Sequence, residues 1–145
     1  MLKRFIPFAH AKSIFEIDFS FYQKIGIKYV FADLDNTLDS YKQATPLDRA
    51  RALKEGLTKL GIELIIVSNN TGARVQKYSK ELGVRHFSSL AKPFSFKLKK
   101  IMKTANIKPE EVVMIGDQTV TDISCANGAK IKSILTDKLV DERFI

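Results

Sequence analysis

Two carboxylates stand two residues apart, Asp33 and Asp35 in ADLDNTL, directly after the apolar run YVFA. Aspartates so placed suit nucleophilic attack, proton transfer and the holding of a hard cation, each of which needs carboxyl oxygens converging on one point. Alone, the pattern Asp-x-Asp-x-Thr is a modest signal: nine Asp and eight Thr among 145 residues produce it in about 3% of shuffled chains. Two more apolar runs end in polar residues, LIIV in Ser68-Asn69-Asn70 and VVMIG in Asp117, with Asp122 following in DQTVTD. A serine after a strand is commonly a helix cap, an isolated Lys92 a solvated lysine, and Gly116-Asp117 an ordinary turn. Separate explanations of that kind do not account for polar groups falling in order at successive strand ends.

Strands and helices must place those groups. From Tyr29 onward short apolar runs alternate with longer amphipathic ones, the signature of β-α-β units. KYVFADLD reads as a strand buried on both faces. Thr45 and Pro46 read as the N-cap and first position of a helix carried by Leu47, Ala50, Leu53, Leu57 and Leu60 and stopped by Gly61. IELIIVSNN is a second strand, 72–82 a helix closing at Gly83, and VRHF a short third strand. After Lys92 and Pro93, residues Phe94, Leu98, Ile101, Met102 and Ala105 mark one face of a helix and Lys97, Lys100 and Lys103 the other. EVVMIGD, a helix over about 120–127 and KIKSIL complete the series. The expectation is a three-layer α/β/α Rossmann-like fold with a five-stranded parallel sheet in residues 29–145, preceded by an N-terminal amphipathic basic segment, 1–28. Ligands of such sheets bind beyond the carboxyl ends of the strands, where Asp33, Ser68 and Asp117 fall.

These motifs, in this order, resemble the haloacid dehalogenase (HAD) superfamily of phosphotransferases. Its first motif is an apolar strand followed by Asp-x-Asp-x-Thr, matched by Asp33, Asp35 and Thr37. Its second is a Ser or Thr after the next strand, matched by Ser68, and its third a Lys near the start of a later helix, matched by Lys92. Its fourth is an acidic pair after the following strand, matched by Gly116, Asp117 and Asp122 in IGDQTVTD. More narrowly, DLDNTL, VSNN, KP and GDQ-x-x-TD, after a segment carrying KSIF, resemble the YqeG family of small bacterial phosphatases. That family is similar to the phosphatidylglycerophosphate phosphatases of mitochondria and plastids. The resemblance implies a phosphomonoesterase with Mg2+ as cofactor, removing the terminal phosphate from a glycerophospholipid precursor.

The chemistry demanded is consistent with those positions. A phosphate monoester is doubly charged and repels a carboxylate nucleophile, so the site must supply compensating charge in fixed geometry. Asp33 is the expected nucleophile, forming an aspartyl-phosphate, and Asp35 the expected acid and base, which calls for a carboxyl of raised pKa. The carboxylates of Asp33 and Asp117 with the backbone carbonyl of Asp35 suit Mg2+, a hard cation. Ser68 and Asn69 are expected to bind the phosphoryl oxygens, and Lys92 to neutralise the phosphate and the adduct. Asp122 is expected either to reach the metal through water or to orient Lys92, with Gly116 and Thr37 in support.

The chain carries 24 Lys and Arg against 16 Asp and Glu, a net +8, and six lysines with no acid fall between Lys92 and Lys108. A charge run is often only a solvated face. Here Phe5, Ile6, Phe8, Ile14 and Phe15 also lie among Lys3, Arg4 and Lys12, which makes an anionic membrane surface an expected partner and specific nucleic-acid binding unexpected. The same N-terminal residues fit a segment packed over the sheet edge. One cysteine excludes a disulfide framework, and Cys125 reads as a small buried apolar residue. His10 and His86 have no partner at metal-ligand spacing. No apolar run approaches the roughly 18 residues of a membrane span and no secretory signal is evident, so the expected location is cytoplasmic, peripheral at the inner face of the membrane. Neither the gap from Thr37 to Pro46 nor that from Gly83 to Lys92 can hold a cap domain, so the site is expected to be open unless another subunit covers it. Competing readings are a phosphatase of a soluble sugar or metabolite phosphate or of a nucleic-acid end, and a non-catalytic binding module for RNA or a protein partner.

Overall fold

Side chains along the central strands alternate between two buried faces, and that alternation creates the layers. The computed structural model describes residues 8–69, 72–90, 92 and 94–139. Its strands are β1 (Ala9–Ala11), β2 (Tyr29–Ala32), β3 (Glu63–Val67), β4 (Arg85–Phe87), β5 (Val112–Gly116) and β6 (Lys132–Thr136). They form one parallel sheet in the order β1-β6-β5-β2-β3-β4. Val30, Ala32 and Ile66 face one side of it, where they pack with Tyr22 of α1 (Phe19–Ile25), Leu53 and Leu57 of α2 (Asp48–Lys59), and Val75 and Tyr78 of α3 (Ala73–Leu82). Phe31, Ile65 and Met114 face the other, against Leu98 and Met102 of α4 (Phe96–Thr104) and Cys125 and Ala126 of α5 (Ser124–Gly128). The period of two within each strand thus builds an α/β/α sandwich, as expected.

Among the described residues the sheet has six strands, not five. The added strand lies in the segment read as an N-terminal amphipathic stretch, where Ala9, His10 and Ala11 pair with Ile134, Leu135 and Thr136. Three residues of sequence AHA carry no strand periodicity, so this strand is made by the free edge of β6 rather than by local preference. The rest of the described segment continues into the core, with Ile14 and Tyr22 fully buried. Lys3, Arg4, Phe5 and Ile6 lie outside the described residues, as do Asn70 and Pro93.

Helix α2 also starts later than Thr45 and Pro46 suggest. Its N-cap is Leu47, which has no side chain to cap with; the Leu47 N–H donates instead to Asp39 Oδ2 at 3.3 Å. A buried carboxylate from the preceding loop replaces the local cap. Similarly, the helix expected over 120–127 begins as a wide turn, Thr119–Ile123, before α5. No cap domain interrupts the described chain: the connection after β2 folds down on the core, burying Leu34, Leu38 and Asp39 completely. No helix among the described residues is long and apolar enough to cross a membrane.

Candidate active site

Strand β2 lies between β3 and β5, with Ala32 paired to Ile66 on one side and Ile115 on the other. The Asp33 N–H donates to the Ile115 carbonyl at 3.0 Å. The carboxyl ends of three adjacent strands therefore present Asp33, Ser68 and Asp117 together, as the sequence predicts. Carboxylate oxygens of Asp33, Asp117 and Asp122 lie within 4.8 Å of one another. Into this cluster projects the buried Lys92, whose Nζ is 2.6 Å from Asp122 Oδ1 and 3.5 Å from Asp33 Oδ1, and donates to the Val67 carbonyl at 3.4 Å. Of the two roles open to Asp122, the structure thus provides direct pairing with Lys92.

Asp33 and Asp122 share one ammonium with Asp117 close by, and the balance shows in the protonation of the cluster. Burial, with repulsion from Asp122, Asp117 and Asp35, pushes Asp33 up to about 7 despite the attraction of Lys92. Burial and Asp122 also raise Asp117. Burial opposes charge on Lys92, but Asp33 and Asp122 outweigh it and hold the ammonium above its ordinary value. The cluster is a pocket of hard oxygen donors with excess negative charge, which suits a divalent cation of the Mg2+ type.

Supporting groups fix these side chains. Asn69 grips the backbone of Lys92 at both ends of its carboxamide: Lys92 N–H donates to Oδ1 at 2.7 Å and Nδ2 donates to the Lys92 carbonyl at 3.1 Å. Asn69, expected as a phosphate donor, is therefore a positioner of Lys92 with one amide hydrogen left to offer. Thr37 Oγ1 donates to Asp117 Oδ1 at 3.5 Å, and the Gln118 N–H donates to Asp122 Oδ2 at 3.3 Å. Ser68 is buried, held by its N–H on the Phe87 carbonyl at 2.9 Å. Gly116 lies directly against Asp122, and a Cβ there would overlap the whole Asp122 carboxyl arm. Gly116→Ala is therefore expected to destabilise the protein by about 1–3 kcal/mol and to displace Asp122 from Lys92. Urea unfolding, with turnover measured alongside, checks both effects.

Asp35 stands apart from the acidic cluster. Its carboxylate accepts from Arg74 Nη1 at 2.5 Å, while Arg74 Nη2 donates to the Ser40 and Gln43 carbonyls at 2.9 and 2.8 Å. One guanidinium thus ties Asp35 to the loop that follows it. Below, the buried Asp39 accepts from Tyr78 Oη and the Leu47 N–H, with Arg49 at 3.7 Å. Arg74 and Asp39 are absent from the sequence reading. A signal for Arg74 existed: it sits in the first turn of α3, where the helix dipole disfavours a cation, so an external carboxylate should hold it. Cys125 is buried, and burial pushes its thiol up to about 11, in keeping with a packing role.

With this geometry in place, the resemblance to known proteins is informative. The chain matches the haloacid dehalogenase-like hydrolases over residues 4–136. It is 32% identical to "Probable phosphatase YqeG" of Bacillus subtilis, across 93% of this chain and 79% of that protein. It is 24% identical to the chloroplastic/mitochondrial phosphatidylglycerophosphate phosphatase 1 of Arabidopsis thaliana, across 97% of this chain and 43% of that protein. Among solved structures, the cobalt-bound deoxy-D-mannose-octulosonate 8-phosphate phosphatase of Haemophilus influenzae shares the fold with a TM-score of 0.59 at 17% identity, covering 79% of this chain and 81% of that one. By sequence match and by fold, this chain belongs to the haloacid dehalogenase-like hydrolase family.

Proposed function

We propose that this protein is a Mg2+-dependent phosphomonoester hydrolase that works through an aspartyl-phosphate on Asp33 and removes the terminal phosphate from phosphatidylglycerophosphate. The observation that carries the catalytic reading is Lys92, buried between Asp33 and Asp122 at the carboxyl ends of β2 and β5. A surface turn has no reason to bury a lysine among three carboxylates.

Asp33 attacks phosphorus in line as the phosphate–ester bond breaks. Lys92 faces the attacking carboxylate and offsets the charge gathering on the phosphoryl oxygens. Ser68 and the remaining Asn69 hydrogen orient those oxygens. Asp35, held by Arg74, gives a proton to the leaving oxygen and later takes one from the water that hydrolyses the adduct. The side chains of Asp33 and Asp117 with the Asp35 carbonyl would hold Mg2+, which supplies further charge neutralisation on the transferring phosphoryl group. A cobalt-bound relative of the same fold supports a divalent cation at such a site.

Two predictions follow the same geometry. Arg74→Ala should lower kcat roughly 10- to 100-fold with little change in KM, because Asp35 loses its tether rather than its chemistry. The loss should be smaller with a nitrophenyl ester, whose leaving group needs no proton, and steady-state kinetics on both esters reads this. Mg2+ should raise the melting temperature more at pH 8 than at pH 5, since Asp33, titrating near 7, must lose its proton to bind it. Thermal scans at the two pH values provide the check.

Several observations support the lipid substrate: likeness to a phosphatidylglycerophosphate phosphatase along nearly the whole chain, no cap domain among the described residues, and a lysine-rich stretch starting at Lys92. Peripheral placement at the inner face of a membrane belongs to this reading. The shared fold with a sugar-phosphate phosphatase favours a second, soluble substrate class. Phosphate release from a panel of lipid and soluble phosphomonoesters decides between them. The proposal expects phosphatidylglycerophosphate to be the preferred substrate, and preference for a soluble ester would replace it.

A further inference from the structure

The most exposed large apolar side chains among the described residues are Phe96, Phe94 and Tyr41, with 60%, 59% and 56% of their surfaces open. All three belong to segments that carry candidate site residues. Phe94 follows Lys92 by two positions and Phe96 opens α4, their ring centroids 6.5 Å apart. Tyr41 lies on the loop leaving Asp35, its N–H donating to Asn36 Oδ1 at 3.4 Å and Lys42 standing 5.7 Å from its ring. The phenylalanines are held outward by what packs beneath them. Leu98 and Met102 fill the buried face of α4, the Phe94 carbonyl accepts from Cys125 Sγ at 3.6 Å, and Ser95 occupies the space over Gly128. A scattered exposed phenylalanine needs no explanation, but an adjoining pair beside the candidate site does.

The surrounding charge identifies the occupant. Lys97, Lys99, Lys100 and Lys103 are exposed on α4, and among the described residues none of them forms an ion pair. No acidic residue falls between Lys92 and Lys108. Exposed aromatic rings among lysines without acidic partners form the composition of an interfacial surface, in which rings enter the headgroup boundary and ammonium groups meet anionic headgroups. We infer that the segments flanking the site, through Phe94, Phe96 and Tyr41, dock on an anionic bilayer with Lys97 and Lys100 against its headgroups, setting the mouth above Asp33 at the lipid surface. The inference rests on the lipid-phosphate reading and adds to it the surface and orientation that deliver the substrate.

Cosedimentation of the full chain with vesicles of phosphatidylcholine, alone or with one part in about three of phosphatidylglycerol, tests it without turnover. Wild-type protein should bind the anionic vesicles, release them as salt rises, and ignore the neutral ones. Phe94→Ser with Phe96→Ser, and separately Lys97→Glu with Lys100→Glu, should each cut partitioning about tenfold or more at an unchanged melting temperature. Wild-type protein that ignores anionic vesicles, or variants that bind as well as wild type, would overturn the docking surface. Because binding is read apart from hydrolysis, an enzyme that docks yet leaves the lipid phosphate intact would fail the substrate proposal alone.

Discussion

Asp33→Asn should yield a folded protein without turnover. The variant replaces the carboxylate proposed to bond to phosphorus with a weakly nucleophilic carboxamide, so kcat should fall by about 10⁴-fold or more, the scale seen when a nucleophile is deleted. Its stability should not suffer in proportion. In the native protein Asp33 repels Asp117 and Asp122, and burial adds to the cost of its charge. Asparagine keeps the shape and relieves that strain, while Lys92 retains Asp122 at 2.6 Å. Melting temperatures in the absence of divalent cation should match wild type within a few degrees, or exceed it above neutral pH. The sign follows from linkage. The Asp33 pKa is raised in the folded state to about 7 from an ordinary 3.8, so the folded protein holds the proton longer than the unfolded chain. The contribution of this group to stability therefore declines as pH rises from about 4 through about 7, and Asp33→Asn abolishes that decline.

Lys92→Met should be the more damaging change to the fold. It leaves Asp33, Asp117 and Asp122 clustered with their one buried cation gone. Breaking a buried pair by removing one partner typically costs about 3–5 kcal/mol, because an uncompensated charge remains. The carboxyls can escape only by taking up protons, so the variant should weaken steeply as pH rises and recover toward pH 5. Adding Asp122→Asn should restore part of the lost stability and none of the activity. Urea unfolding of the single and double variants between pH 5 and pH 8 measures the first effect, and phosphate release the second.

The strand-end acids were legible because apolar runs stop abruptly there, and a parallel sheet buried on both faces leaves few other places for Asp33 and Asp117. Ser68 was legible as a strand-end residue and took its role from the resemblance, whereas Lys92 was legible only by resemblance, since a lysine before a helix is locally unremarkable. What escaped depends on contacts between distant segments. β1 exists because β6 offers an edge to Ala9–Ala11. The start of α2 depends on a carboxylate eight residues earlier. Arg74 matters through Asp35, 39 residues away, although its place in the first turn of α3 hinted at an acidic partner. Asn69 also positions Lys92, because a carboxamide satisfies two backbone groups at once, which no local pattern reveals.

The covalent step proposed for Asp33 is open to direct trapping. Rapid acid quench of the full chain during turnover of a phosphate-labelled ester with Mg2+ should yield labelled protein, and peptide mapping should place a hydroxylamine-labile phosphate on Asp33. Label that is absent throughout the first turnover, or that maps to another residue, would contradict an aspartyl-phosphate at this position.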